Sequence, residues 1–147
     1  MNKFLKKMIR CTLPIIFGMC FLDLFFSYNL KKSHNFQGEI EVWNDIYKGE
    51  IETDIAIYGN SRAWTQLNPS ILGSKLNQNV YNFGVDGHSF WIQYLRHKEY
   101  LKYNQKPKTI LINVDVFSLG KRKNLYLLEQ FLPYMLWNKN IKQYTES

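Results

Sequence analysis

Cysteine is nearly missing from this 147-residue chain: only Cys11 and Cys20 occur, both in or beside the first apolar run. A disulfide framework is therefore excluded for the rest of the sequence. Histidine is scarce too. His34, His88 and His97 stand at no ligand-type spacing and have no cysteine pair to join them, so neither a metal centre nor any other cofactor is expected. Acidic residues are outnumbered, 12 against 19 Lys plus Arg, which leaves a net charge of +7 and raises the question of nucleic acid. Zinc-finger spacing, an RNP-like aromatic signature and a long basic stripe are all lacking, however, and no nucleic-acid partner is expected. The cations gather at Lys3, Lys6, Lys7 and Arg10, at Lys31 and Lys32, and at Lys121, Arg122 and Lys123.

What is plentiful is apolar and aromatic surface, 46% and 16% of the residues, enough for one packed domain. From Thr12 to Tyr28 the chain is almost unbroken apolar sequence preceded by four cations. About 20 residues cross a hydrocarbon core, so the run suffices only with its flanks. Asp23 would cost about 2.5 to 3.5 kcal/mol if charged at the bilayer centre; its place toward the outer end reduces that. The run ends Phe26-Ser27-Tyr28-Asn29-Leu30 without an Ala-x-Ala-like site, and Met19 before Cys20 does not suit a lipoprotein. The expectation is a cytoplasmic basic tail over 1–11 and a signal anchor over 12–30. The positive-inside rule then puts the body outside the membrane. A buried core helix is the competing reading of so short a run.

After a linker and short helix over 31–52, with Ile40, Val42, Trp43, Ile46 and Tyr47 at helical spacing, the chain alternates strands and helices. Strands are expected at Thr53–Tyr58, Asn79–Phe83 and Thr109–Val116. The intervening helices are one capped by Asn68-Pro69, with Ile71, Leu72 and Leu76 inward, and one capped by Ser89, with Phe90, Trp91, Tyr94, Leu95 and Leu101 inward. A last helix is expected over Leu125–Trp137. Continuous apolar strands joined through helices argue for parallel pairing and a partial three-layer α/β/α domain, flavodoxin-like, over 53–147. Sites in such sheets lie at the carboxyl ends of the strands.

Three polar turns follow the three strands: Gly59-Asn60-Ser61-Arg62, Gly84-Val85-Asp86-Gly87-His88-Ser89, and Asn113-Val114-Asp115. A serine directly after a strand can present its hydroxyl as a nucleophile and its N–H as an oxyanion donor, and a glycine-rich second turn can bring up another N–H. Ile57-Tyr58-Gly59-Asn60-Ser61-Arg62, and Val80-Tyr81-Asn82-Phe83-Gly84-Val85-Asp86-Gly87-His88-Ser89 after it, resemble the first two blocks of SGNH/GDSL-type hydrolases. The similarity is to the membrane-anchored branch associated with cell-surface polysaccharide and covers about residues 53 to 118. It implies an esterase or O-acyltransferase with Ser61 as nucleophile and Gly87 as oxyanion N–H. Asn60, Arg62, His88, Asn113 and Asp115 would contact substrate, and the partners would be the membrane and a polysaccharide or acyl donor.

The chain departs from that pattern in three places. Asn60 replaces the family's Asp, Asn113-Val114-Asp115 stands where Gly-x-Asn-Asp is expected, and no His has an Asp or Glu three residues before it. The Asp-x-x-His block that supplies the general base is thus missing, and a serine without a base is a poor nucleophile. The expectation is a truncated, inactive version of a longer family protein, with a neighbouring chain as another source of the base. The alternative is a non-catalytic, membrane-anchored module that presents Arg62, Trp64 and His88 to a glycan or partner. Ser61 as an ordinary turn residue, Arg62 as a surface cation and Asp115 as a turn cap remain open. Trp64, Trp91 and Trp137 read either as sugar-stacking surfaces or as core, with Trp91 assigned to the core.

Overall fold

A computed structural model describes residues 3–32, 39–87, 89–116, 118–120, 125 and 127–146. The first element, α1 (Lys3–Lys31), takes in the basic tail as well as the apolar run, and none of it is buried. Its 29 residues are long and apolar enough to cross a membrane. Then come α2 (Glu39–Lys48), β1 (Ile55–Tyr58), α3 (Ser61–Gln66), α4 (Pro69–Leu76), β2 (Val80–Asn82), α5 (Phe90–Tyr103) and β3 (Thr109–Ile112). A 3-10 turn (Leu128–Gln130) and α6 (Lys139–Glu146) follow.

The strands form one parallel sheet in the order β2-β1-β3, with Ile55 opposite Val80 on one side and Thr109 on the other. Successive side chains of a strand point to opposite faces, and β1 uses both. Ala56 and Tyr58 enter a cluster with Trp43 and Ile46 of α2 and Ile92, Leu95 and Tyr100 of α5. Ile55 and Ile57 join Ala63, Leu67 and Leu72 from α3 and α4. Helices therefore cover β1 front and back, while β3 at the edge is exposed along all four residues.

Several expectations from sequence are corrected here. Trp91 is 59% exposed rather than core, and Phe90, Tyr94 and Leu101 also face solvent. The inner face of α5 is Ile92, Gln93, Leu95, Arg96, Glu99 and Tyr100. Arg96 and Glu99 carry that stripe because both find buried partners, which a hydrophobicity pattern does not register. In α4, Ile71 and Leu76 are exposed and Leu72 alone of the expected three packs inward. The third strand stops at Ile112: Asn113 still donates its N–H to Tyr58, but the chain then turns, closed by Ser118 on Asp115. The helix expected over Leu125–Trp137 is broken into a 3-10 turn and successive tight turns. Leu127 has a φ of 52°, and Pro133 has no N–H to give to a helix. This segment folds back on α2, where Phe131 and Tyr134 surround Trp43.

Candidate functional site

The three turns meet at the carboxyl end of the sheet. Phe83 N–H donates to Ile57 C=O and Val85 N–H to Gly59 C=O, which draws the turn after β2 to the turn after β1. Asn113 N–H donates to Tyr58 C=O at 2.8 Å from the other side. Gly59 is held so closely that a Cβ there would stand 2.4 Å from Ala63 Cβ and 2.8 Å from Asn113 Cβ. No side chain fits, which explains glycine in front of Asn60-Ser61.

Ser61 opens α3, and Asn60 caps that helix by accepting the Arg62 N–H at 3.0 Å. Asn60 thus supports the turn, as N-cap residues do. The Arg62 side chain is exposed, and Trp64, one turn further, is 41% exposed. Asn113 is partly buried beside Gly59, and its Oδ1 is fully buried without a hydrogen-bond partner. Gly87 takes a φ of 69°, a left-handed conformation that glycine adopts without strain. Asp115 accepts from Ser118 Oγ at 3.2 Å while its own N–H donates to that hydroxyl, so the carboxylate takes part in its turn. His88 lies outside the described residues. So do His34, Phe117 and the basic run Lys121-Arg122-Lys123.

Residues that the sequence reading gave no role hold the second turn in place. Asn82 donates from Nδ2 to Ala63 C=O (2.8 Å) and Leu67 C=O (2.9 Å), and its Oδ1 accepts the Gly84 N–H. It ties β2 to the end of α3. Gly84 is pressed so near this helix that a Cβ would meet Trp64 N at 2.8 Å. From the opposite layer, Arg96 donates to Phe83 C=O (3.1 Å) and Gly84 C=O (3.2 Å) and pairs with Glu39 at 2.5 Å. Glu39 Oε1 in turn accepts the Asp86 N–H. The legible signal was the period: Ile92, Leu95, Arg96, Glu99 and Tyr100 follow the i, i+3, i+4, i+7, i+8 spacing of one helix face, with two charges in it. Ser89, expected to cap α5, makes no side-chain cap bond; the Phe90 N–H goes to Ser118 C=O instead and joins the second turn to the third.

His97 is engaged elsewhere. Its Nδ1 lies 2.9 Å from the Tyr58 hydroxyl, among α5 residues and on the face of β1 away from α3. Burial, with help from Lys106, pulls its pKa below the ordinary histidine value, and burial pushes the Tyr58 phenol up. Among the described residues no group of His, Cys, Asp and Glu could hold a metal ion.

Comparison with protein-family models, curated proteins and solved structures finds no match for this chain.

Proposed function

We propose that the chain is a membrane-anchored α/β protein whose sheet end carries an SGNH-like site for acyl transfer or ester hydrolysis on cell-surface polysaccharide. The observation that carries this reading is the convergence of the Gly59-Asn60-Ser61, Gly84–Gly87 and Asn113 turns, with Gly59 wedged between Ala63 and Asn113. In that chemistry Ser61 Oγ adds to an ester carbonyl, the N–H groups of Ser61 and Gly87 hold the oxyanion, and the alcohol departs with the proton. A sugar hydroxyl or water then takes the acyl group from Ser61.

Proton removal from Ser61 has no Asp-x-x-His to serve it, and among the described residues the histidine His97 is held by Tyr58. We accordingly assign the chain alone little or no turnover. The exposed Arg62 and Trp64 beside Ser61 favour a second reading, a non-catalytic module that binds an acidic glycan through a cation and an aromatic face. The basic residues before the apolar run orient α1 with its N-terminus in the cytoplasm and the body outside. A reporter fused after Ser147 then works only outside the cytoplasm, and cytoplasmic activity overturns the orientation.

The discriminating experiment is fluorophosphonate labelling of the full chain in membranes, beside Ser61→Ala. Labelling that vanishes in Ser61→Ala means that a base reaches Ser61, and our assignment of little turnover is wrong. Absent labelling, together with glycan binding lost in Arg62→Ala and Trp64→Ala, establishes the binding module.

A further inference from the structure

The segment between the 3-10 turn and α6 has two faces. Gln130, Phe131 and Tyr134 point into the body, where Gln130 accepts from Trp43 Nε1 at 3.1 Å and Tyr134 donates to Asn44 at 2.9 Å. Other side chains of this stretch point out: Leu128, Leu132 and Leu136 recur every four positions and are 43%, 39% and 61% exposed. Trp137 extends the stripe at 67% exposed. An apolar row of this kind on a helical-turn segment, polar-bonded on its inner side, is the pattern of an element lying in a membrane interface.

Its position identifies what covers it. Trp137 Nε1 donates to Asp23 Oδ2 at 3.1 Å, and Asp23 precedes Lys31, the last residue of α1, by eight residues. At 1.5 Å per residue, that bond lies about 12 Å along the helix axis from Lys31 toward the membrane. Lys31 itself stands 4.8 Å over the Tyr134 ring, and its carbonyl accepts from Asn44 Nδ2, so this stretch of α1 is fixed against the body at both ends. With Lys31 at the headgroup level, the Trp137 indole reaches below the aromatic belt, to the edge of the acyl chains. Its bond also satisfies Asp23, the one acidic residue of the apolar run.

We propose that Leu128, Leu132, Leu136 and Trp137 form a second membrane contact, seated in the lipid leaflet on the side where α1 emerges. This inference rests on α1 spanning the bilayer. The occupant is lipid: the stripe continues a helix that is apolar and unburied, and Lys31 and Lys139 flank Trp137 along a groove of about 470 Å³ where phosphate headgroups would lie. The body is thereby held flat on the membrane.

The test uses the full chain with Cys11 and Cys20 replaced by Ser, carrying one cysteine at Leu132, Leu136 or Ile71, or Cys20 restored. Each is labelled with an environment-sensitive fluorophore and reconstituted in phosphatidylcholine–phosphatidylglycerol vesicles. Ile71, 54% exposed on α4, is the solvent reference. We expect labels at 132 and 136 to be quenched by lipids spin-labelled near the headgroup and shielded from iodide several-fold relative to 71. Iodide access at 132 and 136 equal to that at 71 overturns the inference. Shielding from iodide without lipid quenching also overturns it, in favour of a protein partner on the stripe. The label at Cys20, read with lipids spin-labelled deep in the acyl chain, keeps the two readings apart: quenching there, with none at 132 and 136 by the headgroup-labelled lipids, refutes only the second contact, whereas no quenching at Cys20 refutes the anchor itself.

Discussion

Arg96→Met tests whether a buried ion pair holds the candidate site. Arg96 is fully buried and the Glu39 side chain is 4% exposed, with 2.5 Å between them. Removing the guanidinium leaves the Glu39 carboxylate buried without its counter-charge, a change that costs about 3 to 5 kcal/mol. It also leaves the carbonyls of Phe83 and Gly84 without their donors, at about 1 to 3 kcal/mol each if water does not reach them. These costs overlap because one side chain serves all three acceptors, so we expect a total near 4 kcal/mol, a large share of ordinary domain stability of about 5 to 15 kcal/mol. Glu39→Met alone strands the cation instead. The double variant recovers part of the loss, with a coupling of about 1 to 3 kcal/mol, but not the carbonyl contribution. The assay is equilibrium urea unfolding of the full chain in detergent, read by tryptophan fluorescence, because Trp43 is buried and its ring lies 5.4 Å from the Arg96 guanidinium. A loss below about 1 kcal/mol for Arg96→Met would refute the reasoning, since solvated pairs are worth no more than that.

Three further outcomes follow from other sites. Gly59→Ala forces Ala63 or Asn113 to move and should cost about 1 to 3 kcal/mol in the same assay; an unchanged midpoint would mean that the turns after β1 and β3 are not in contact. Gln93 is buried in α5 with neither amide atom hydrogen-bonded, so Gln93→Leu should raise the unfolding free energy by about 1 to 2 kcal/mol, and destabilisation would show that the amide is satisfied in solution. The hydrogen bond from Lys108, joined by the Asn79 N–H, holds the Asp54 carboxyl below its ordinary pKa. A lowered folded pKa gives stability that is complete above the unfolded value of about 3.9 and is lost as pH falls through the folded one. Asp54→Asn should therefore flatten the acid limb of a melting-temperature profile below about pH 4, and an unaltered limb would exclude Asp54 as its source.

Much of the architecture followed from local pattern. The β-branched run at Ile55–Tyr58 bounded by Gly59, the Asn68-Pro69 cap and the Trp43-Ile46 stripe of α2 each reflect a preference settled within a few residues, and each element formed. The three polar turns were legible for the same reason, since parallel strands place their carboxyl ends together. The burial of α5 is not legible in its hydrophobic pattern because Arg96 and Glu99 become core residues only when Glu39, Asn138 and Asn140, distant in sequence, arrive to pair with them. At Glu99, burial pushes the carboxyl pKa up, yet the bonds from Lys102, Asn140 and Asn138 outweigh it and hold the group below its ordinary value.

By itself the sequence determined a helix long and apolar enough to cross a membrane, the strand order in the chain and the polar turns, because length, apolar content and turn chemistry act over a few residues. The tertiary structure alone decided which charges are buried, which aromatic rings face solvent, and that Trp137 reaches Asp23 across 114 positions of chain. Such choices depend on partners that meet only after folding, where desolvation makes a paired charge tolerable and an unpaired one costly.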